Sequence, residues 1–238
     1  DIRNCFIDGS FLSTSCTSNI FGKDDKKCFC GETWIKDADL KTFRILNYTF
    51  AIDKNFVHTI TGKIKDADIE SFEVLDDGKF LLWYNSLGIP EYTFYGYAKD
   101  KNNIYYHNYE GKAKLIKNVN LESFTSLKDG YFAQDKNNVY GNGRKIKRAD
   151  IENWRKISDL PNSLYSKDKE RIFYAFVEIQ VDYESFKLDI PKNSKCIHRQ
   201  IATDKNSFYE NGEKISAYRY NQLKELNSKY SALQKMYN

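Results

Sequence analysis

Histidine is scarce in this chain. Only His58, His107 and His198 occur among 238 residues. They form no His-x-His or His-Glu-x-x-His spacing, the usual marks of a zinc site. Cys196-Ile-His198 is a weak thiolate or metal suggestion at most. No glycine-rich phosphate loop, dinucleotide fingerprint or nucleophile elbow is present, and Gly9-Ser10 lacks the flanking pattern. The sequence therefore names no catalytic residue, no cofactor and no metal ligand, and the expectation is a non-enzymatic protein.

A dominant charge of one sign is also missing. Against 37 Lys and Arg stand 33 Asp and Glu, a net +4. Lys and Asp alternate closely, which describes a mixed, solvated surface. Without a basic stripe or recognition helix, nucleic acid is not an expected partner. No apolar run is long enough for a transmembrane helix. The chain opens without a basic n-region or apolar h-region, so it is read as cytosolic or as lacking an already removed signal segment.

The cysteines bear on that choice. Cys5, Cys16, Cys28 and Cys30 cluster in a Ser/Thr/Gly-rich leader, and Cys196 stands alone. Two disulfides stapling a segment without its own core are the favoured reading, with a periplasmic or extracellular location to match. Four thiolates closing a zinc site compete with it. However, Cys28-Phe-Cys30 has one intervening residue, fewer than zinc knuckles use. Cys196 is then left over as a buried, inert thiol.

What the chain has in abundance is aromatics, 16% of residues with 18 Tyr and 16 Phe, and a repeated phrase. Asp-Lys-Asn begins at Asp53, Asp100, Asp135 and Asp204, with a looser copy, Asp168-Lys169-Glu170, between the last two. The steps are 47, 35, 33 and 36 residues. A period in that range signals a repeat architecture. Asp and Asn bond their own backbone and tolerate left-handed φ, so the phrase predicts a hairpin turn between Tyr-rich strands. A second turn is expected at Asn142-Gly143 and Asn211-Gly212, with Gly62 and Gly111 in comparable places.

A second half recurs in register: Asp39, Asp68, Asn120, Asp150 and Asp182, each followed four residues later by Phe43, Phe72, Phe124, Trp154 or Phe186. The Asp or Asn is read as the cap of a single helical turn. The aromatic is read as the core anchor of its unit, with Leu46, Leu75, Leu127 and Ile157 three positions on along the same face.

The pattern, seen most fully as Asp-Lys-Asn-Asn-Ile-Tyr-Tyr at 100–106, resembles the bacterial DKNYY family across roughly residues 24–215. The resemblance implies repeat proteins, often of the cell envelope, with no established activity, and it carries over no catalytic residue. The first unit departs from it: Asp25-Lys26-Lys27-Cys28 lacks the Asn.

The resulting expectation is a mainly β fold with short helical turns, an array of five to six β-meander repeats. Residues 1–23 form a Cys-containing N-terminal cap, 24–215 the repeat domain, and 216–238 a C-terminal capping helix. Tyr220, Leu223, Leu226, Tyr230, Leu233 and Tyr237 give that helix an apolar stripe. Unequal steps and unlike ends favour an open array over a ring. One insertion, 76–97, breaks the period and reads as an extra hairpin bending at Gly88 and Pro90. Its Trp83, Tyr84, Tyr92, Phe94 and Tyr95 are either core or, if one face is exposed, an anchor for a protein partner or a platform for a glycan. An Asp-x-Asn calcium loop is disfavoured by the intervening Lys and the absence of a distant Glu. The favoured function is a protein-binding module of the bacterial envelope or exterior, including an immunity or inhibitor protein against a secreted toxin. Glycan binding is the alternative, and an enzyme with an unseen site is the remaining one.

Overall fold

A computed structural model describes residues 20–108 and 111–234, the side chains of 233 and 234 excepted. Cys5, Cys16 and Tyr237 lie outside the described residues, as does most of the expected N-terminal cap. The chain divides into two compact units: Asp1–Phe80 with Tyr92–Asn137, and Leu81–Glu91 with Asn138–Asn238. Among the described residues the build is antiparallel β with one helix, Ala217–Gln234, at the C-terminal end. That helix is not apolar enough to cross a membrane.

In the first unit, Phe21–Lys23, Cys28–Cys30 and Thr33–Trp34 form a three-stranded meander. A four-stranded meander follows: Arg44–Ile45, Phe50–Ile52, Val57–Thr59 and Gly62–Ile64. The third sheet, Glu73–Val74, Tyr95–Lys99, Ile104–Asn108 and Lys114–Ile116, has the same order. A hairpin, Phe80–Tyr84 with Pro90–Thr93, is inserted after its first strand. Thr125–Ser126 then pairs with Phe132–Gln134. In the second unit Val139–Gly141 pairs with Arg144–Lys145. Two four-stranded meanders complete that unit. One is Arg155–Lys156, Tyr165–Lys167, Ile172–Tyr174 and Val177–Ile179; the other is Lys187–Leu188, Ile201–Thr203, Phe208–Glu210 and Glu213–Ile215.

The expected turns sit where the sequence puts them. The Asp-Lys-Asn turn joins the two long strands, so that Ile52 faces Val57, Lys99 faces Ile104, and Thr203 faces Phe208. Asn142-Gly143 and Asn211-Gly212 have positive φ at both residues, as two-residue hairpin loops require. Gly62 differs: it is the first strand residue after its loop, opposite Thr59.

Strand alternation sends each sheet's side chains into two different cores. Phe50 and Ile52 join Val57, Phe72, Ala98 and Tyr105 in a core with the third sheet. Ala51, between them, joins Phe21, Cys28, Phe43 and Ile60 in a core with the first. In the second unit Tyr165, Ile172, Ala202 and Tyr209 repeat the arrangement.

The residue two before the phrase's Asp is always small: Ala51, Ala98, Ala133, Ser166 or Ala202. In the clusters above it shares its core with the anchor aromatic of the preceding turn, as Ala51 does with Phe43 and Ala98 with Phe72. Where the anchor is Trp154, the small residue is Ser166, and the indole Nε1–H donates to its hydroxyl at 3.1 Å in a buried site. Trp154→Phe and Ser166→Ala each break this bond, at an expected cost of about 1–2 kcal/mol. The double variant recreates the Phe/Ala pairing of the other units and is expected to cost clearly less than the sum. Urea midpoints of the four proteins measure the coupling, and strictly additive costs would refute it.

The C-terminal helix buries its stripe most fully at the start. Tyr220 and Leu223 pack on Ile201, Phe208 and Ile215. Further along, the buried positions are Asn227 and Ser231. Asn227 accepts from the Arg199 N–H and donates to the Arg199 carbonyl, both at 2.8 Å. Polar exchange with irregular backbone adds to the packing there, which a hydrophobic period does not reveal.

Candidate functional site

The two halves of the repeated phrase, 14 to 32 residues apart in sequence, form one hydrogen-bonded knot. Asp100 shows it best. Its Oδ1 accepts from the Asn102 and Asn103 N–H groups at 2.8 and 2.7 Å. Its Oδ2 accepts from the Asp68 N–H at 2.9 Å and the Tyr105 hydroxyl at 2.8 Å. Asp68 caps its own turn, accepting from the Ser71 N–H at 3.1 Å, and the Ser71 hydroxyl accepts from the Lys101 N–H at 3.0 Å. The Lys101 ammonium closes the loop on Asp68 at 2.7 Å. Asp53 with Asp39, Asp168 with Asp150, and Asp204 with Asp182 make the same clamp from carboxylate to N–H.

The lysine of the phrase thus has a positive role. Lys54, Lys101, Lys169 and Lys205 each pair with the cap aspartate, at 2.9, 2.7, 3.3 and 2.7 Å. The Lys54 and Lys101 ammonium groups hold Asp39 and Asp68 down to about 2. Burial would push Asp53 and Asp100 up, but the donors around them outweigh it and both sit below the usual carboxylate range. The phrase is scaffold, with its carboxylate oxygens already occupied by N–H, O–H or ammonium donors.

The aromatics of the inserted hairpin, Trp83, Tyr84, Tyr92, Phe94 and Tyr95, are all half-buried. Tyr92 and Tyr48 hold the Lys79 ammonium at 4.3 and 4.9 Å from their rings. Phe94 packs on the core around Phe43. Tyr95 stacks on Phe80 with centroids 5.1 Å apart.

Within the second unit, the Trp83 indole donates to Glu91 Oε2 at 2.6 Å. His198 stacks on Tyr230 of the helix at 3.7 Å and meets Trp83 edge-on at 6.1 Å. Asn162 ties Leu82 to Ile197 through its side-chain amide. The insertion's first strand at Leu82 and Trp83, the long stretch 189–200 and the helix therefore converge. Cys196 and His198 do not make a reactive pair, because burial pushes the Cys196 thiol up to about 11. Exposed apolar surface on the hairpin lies instead at Leu87, 63% exposed, and Ile89, 37%. They flank a turn in which Asn85 Oδ1 accepts from both of their N–H groups, at 3.0 and 3.1 Å.

The described members of the expected disulfide staple, Cys28 and Cys30, are free thiols. Cys28 and Cys30 alternate onto one face of their strand and pack in the same core. Cys30 donates to the Ile60 carbonyl at 3.6 Å, and burial pushes its thiol up to about 12.

A cleft of about 410 Å³ lies in the first unit, lined by Cys30, residues 33–37 and residues 58–63. His58 is in its wall, 2% exposed, with Nε2 against Asp53 Oδ2 at 2.8 Å. It occupies the register of Tyr105 and Tyr209, whose hydroxyls meet Asp100 and Asp204 in the same way. The anchor ring faces this position each time: Phe43–His58 at 5.7 Å, Phe72–Tyr105 at 5.8 Å and Phe186–Tyr209 at 6.1 Å. Sequence reasoning missed the cleft, although a histidine five residues after the phrase's Asp, where other copies have an aromatic, was a readable signal.

The DKNYY family model matches residues 21–176. No curated protein and no solved structure matches the chain. The match ends after the third strand of the Arg155–Ile179 meander, while the same knot recurs beyond it at Asp204 and Asp182. With the family match spanning more than half of its length, the chain belongs to the DKNYY family.

Proposed function

We propose that this chain is a non-enzymatic protein-binding module of the bacterial cell envelope or exterior. The observation that carries this reading is the hairpin tip. The repeats spend their aspartates and lysines on one another, whereas the element that breaks the period ends in an apolar knuckle, Leu87 and Ile89, on a turn pinned by Asn85. A rigid apolar tip loses little conformational freedom when covered, which favours association with a protein surface. The location is part of the proposal and follows what the repeat resemblance implies. An inhibitor or immunity role against a secreted toxin is the specific form of the proposal, and a toxin-like gene beside this one would support it. Glycan binding at the hairpin's own aromatics is less well supported, since their rings are half-buried.

The experiment uses the intact chain as bait for secreted and surface proteins of its source, followed by titration of the purified partner. Replacing Leu87 and Ile89 together by glutamate is expected to weaken that purified interaction at least about tenfold, or 1.4 kcal/mol. Unchanged affinity in this variant would place the interface elsewhere and defeat the reading.

A further inference from the structure

We propose that the cleft between residues 33–37 and 58–63 binds a neutral saccharide. This stands apart from the hairpin reading, since it uses other residues in the other unit. The warrant begins with the departure at His58. Where the repeat otherwise has a tyrosine or phenylalanine, the shorter imidazole keeps the hydrogen bond to the Asp carboxylate and leaves open space beside it. In the neutral ring, with Nε2–H donated to Asp53, Nδ1 is the acceptor.

The rest of the lining is also rich in acceptors. The Thr59 and Thr61 hydroxyls donate to the Gly62 and Gly111 carbonyls at 3.2 and 2.6 Å, leaving their lone pairs free for a ligand's donors. Asp37 adds a carboxylate and Thr33 a further hydroxyl. Charge does not favour an anion: the Lys63 ammonium is held by Asp37 at 2.6 Å and lies over the Phe56 ring at 3.9 Å. Trp34, 45% exposed, supplies a flat apolar face in the same lining. The cations beside that ring, Lys27 at 4.7 Å and Lys36 at 6.0 Å, belong to exposed side chains that can swing aside. An aromatic platform facing several acceptors suits a ligand with many hydroxyl donors and an apolar C–H face, which is the chemistry of a sugar ring.

The test titrates the intact chain with glucose, N-acetylglucosamine, cellobiose and chitobiose, with glucuronate and inorganic phosphate as charged controls. Binding is read by heat and by tryptophan fluorescence. At least one neutral sugar is expected to bind more tightly than both charged probes. Trp34→Ala is expected to weaken it at least about tenfold. His58→Tyr restores the ring that the other units carry and is expected to abolish binding while the thermal midpoint does not fall. The proposal is overturned if no neutral sugar binds, if only the charged probes bind, or if binding survives both substitutions.

Discussion

Asp100→Ala is expected to destabilise the protein by about 3–5 kcal/mol, because a buried charge that four donors depend on is removed. Asp100 is 4% exposed. Its loss leaves the Asn102, Asn103 and Asp68 N–H groups and the Tyr105 hydroxyl without their acceptor. It also unties the capped turn from the strand pair it precedes, so the core that holds Phe50 and Phe72 loses its alignment. Two comparisons isolate the clamp. Lys101→Ala removes only an ion pair whose lysine side chain is 62% exposed, and is expected to cost far less than Asp100→Ala. Asp24→Ala removes the equivalent residue of the first turn, which is exposed and accepts only the local Lys26 and Lys27 N–H groups. It too is expected to cost far less than Asp100→Ala. Urea midpoints at neutral pH give all three values, and similar costs at Asp100 and Asp24 would show that the turn matters and the clamp does not.

This contrast marks how far the sequence could be read. The turn at Asp100 and the cap at Asp68 were legible, because each rests on bonds within three residues and on side chains with a known local habit. The bond between them was not, since a carboxylate has two oxygens and only the fold decides what meets the second. The small residue at Ala51 or Ser166 was equally hidden, as its meaning appears only when the anchor ring is seen against it. Helical period likewise predicted Tyr220 and Leu223 on the packed face but not Asn227, whose partner is the backbone of Arg199.

The site shows the same limit. Trp83, Tyr84, Tyr92, Phe94 and Tyr95 drew attention by density, yet density in a strand hairpin says nothing about which face is covered. The rings became half-buried partners of Lys79, Phe80, Glu91 and His198. The exposed apolar positions, Leu87 and Ile89, lie at the bend, where sequence patterning has no period to compare. His58 carried the clearer signal, because a residue that breaks a register is informative even when its type is ordinary.

Lowering the pH from 7.5 to 4.5 is expected to remove a large part of the stability, and His107 is the residue that makes the loss specific. It is fully buried, with neither ring nitrogen hydrogen-bonded among the described residues, beside Phe50 at 6.1 Å. Burial depresses its pKa from 6.5 to about 4. Because the folded value lies below the unfolded one, the unfolded chain takes up the proton first. The neutral side chain's contribution is whole above pH 6.5 and is lost as the pH falls through 4, by up to about 3 kcal/mol. His198, also lowered to about 4 by burial and then by Arg199, acts in the same window to a smaller degree, being half-buried. Asp76, raised by burial, opposes them. The paired carboxylates Asp39 and Asp68, at about 2, weaken folding only below the ordinary aspartate range, so their effect comes later on acidification. His107→Phe separates these contributions. It removes two orphaned polar atoms and is expected to raise stability at pH 7.5 by about 1–2 kcal/mol. It should also flatten the decline between pH 6.5 and 4.5. Denaturant midpoints of both proteins across that range decide it: a decline of the same depth in the variant would mean that His107 is not the buried neutral group responsible.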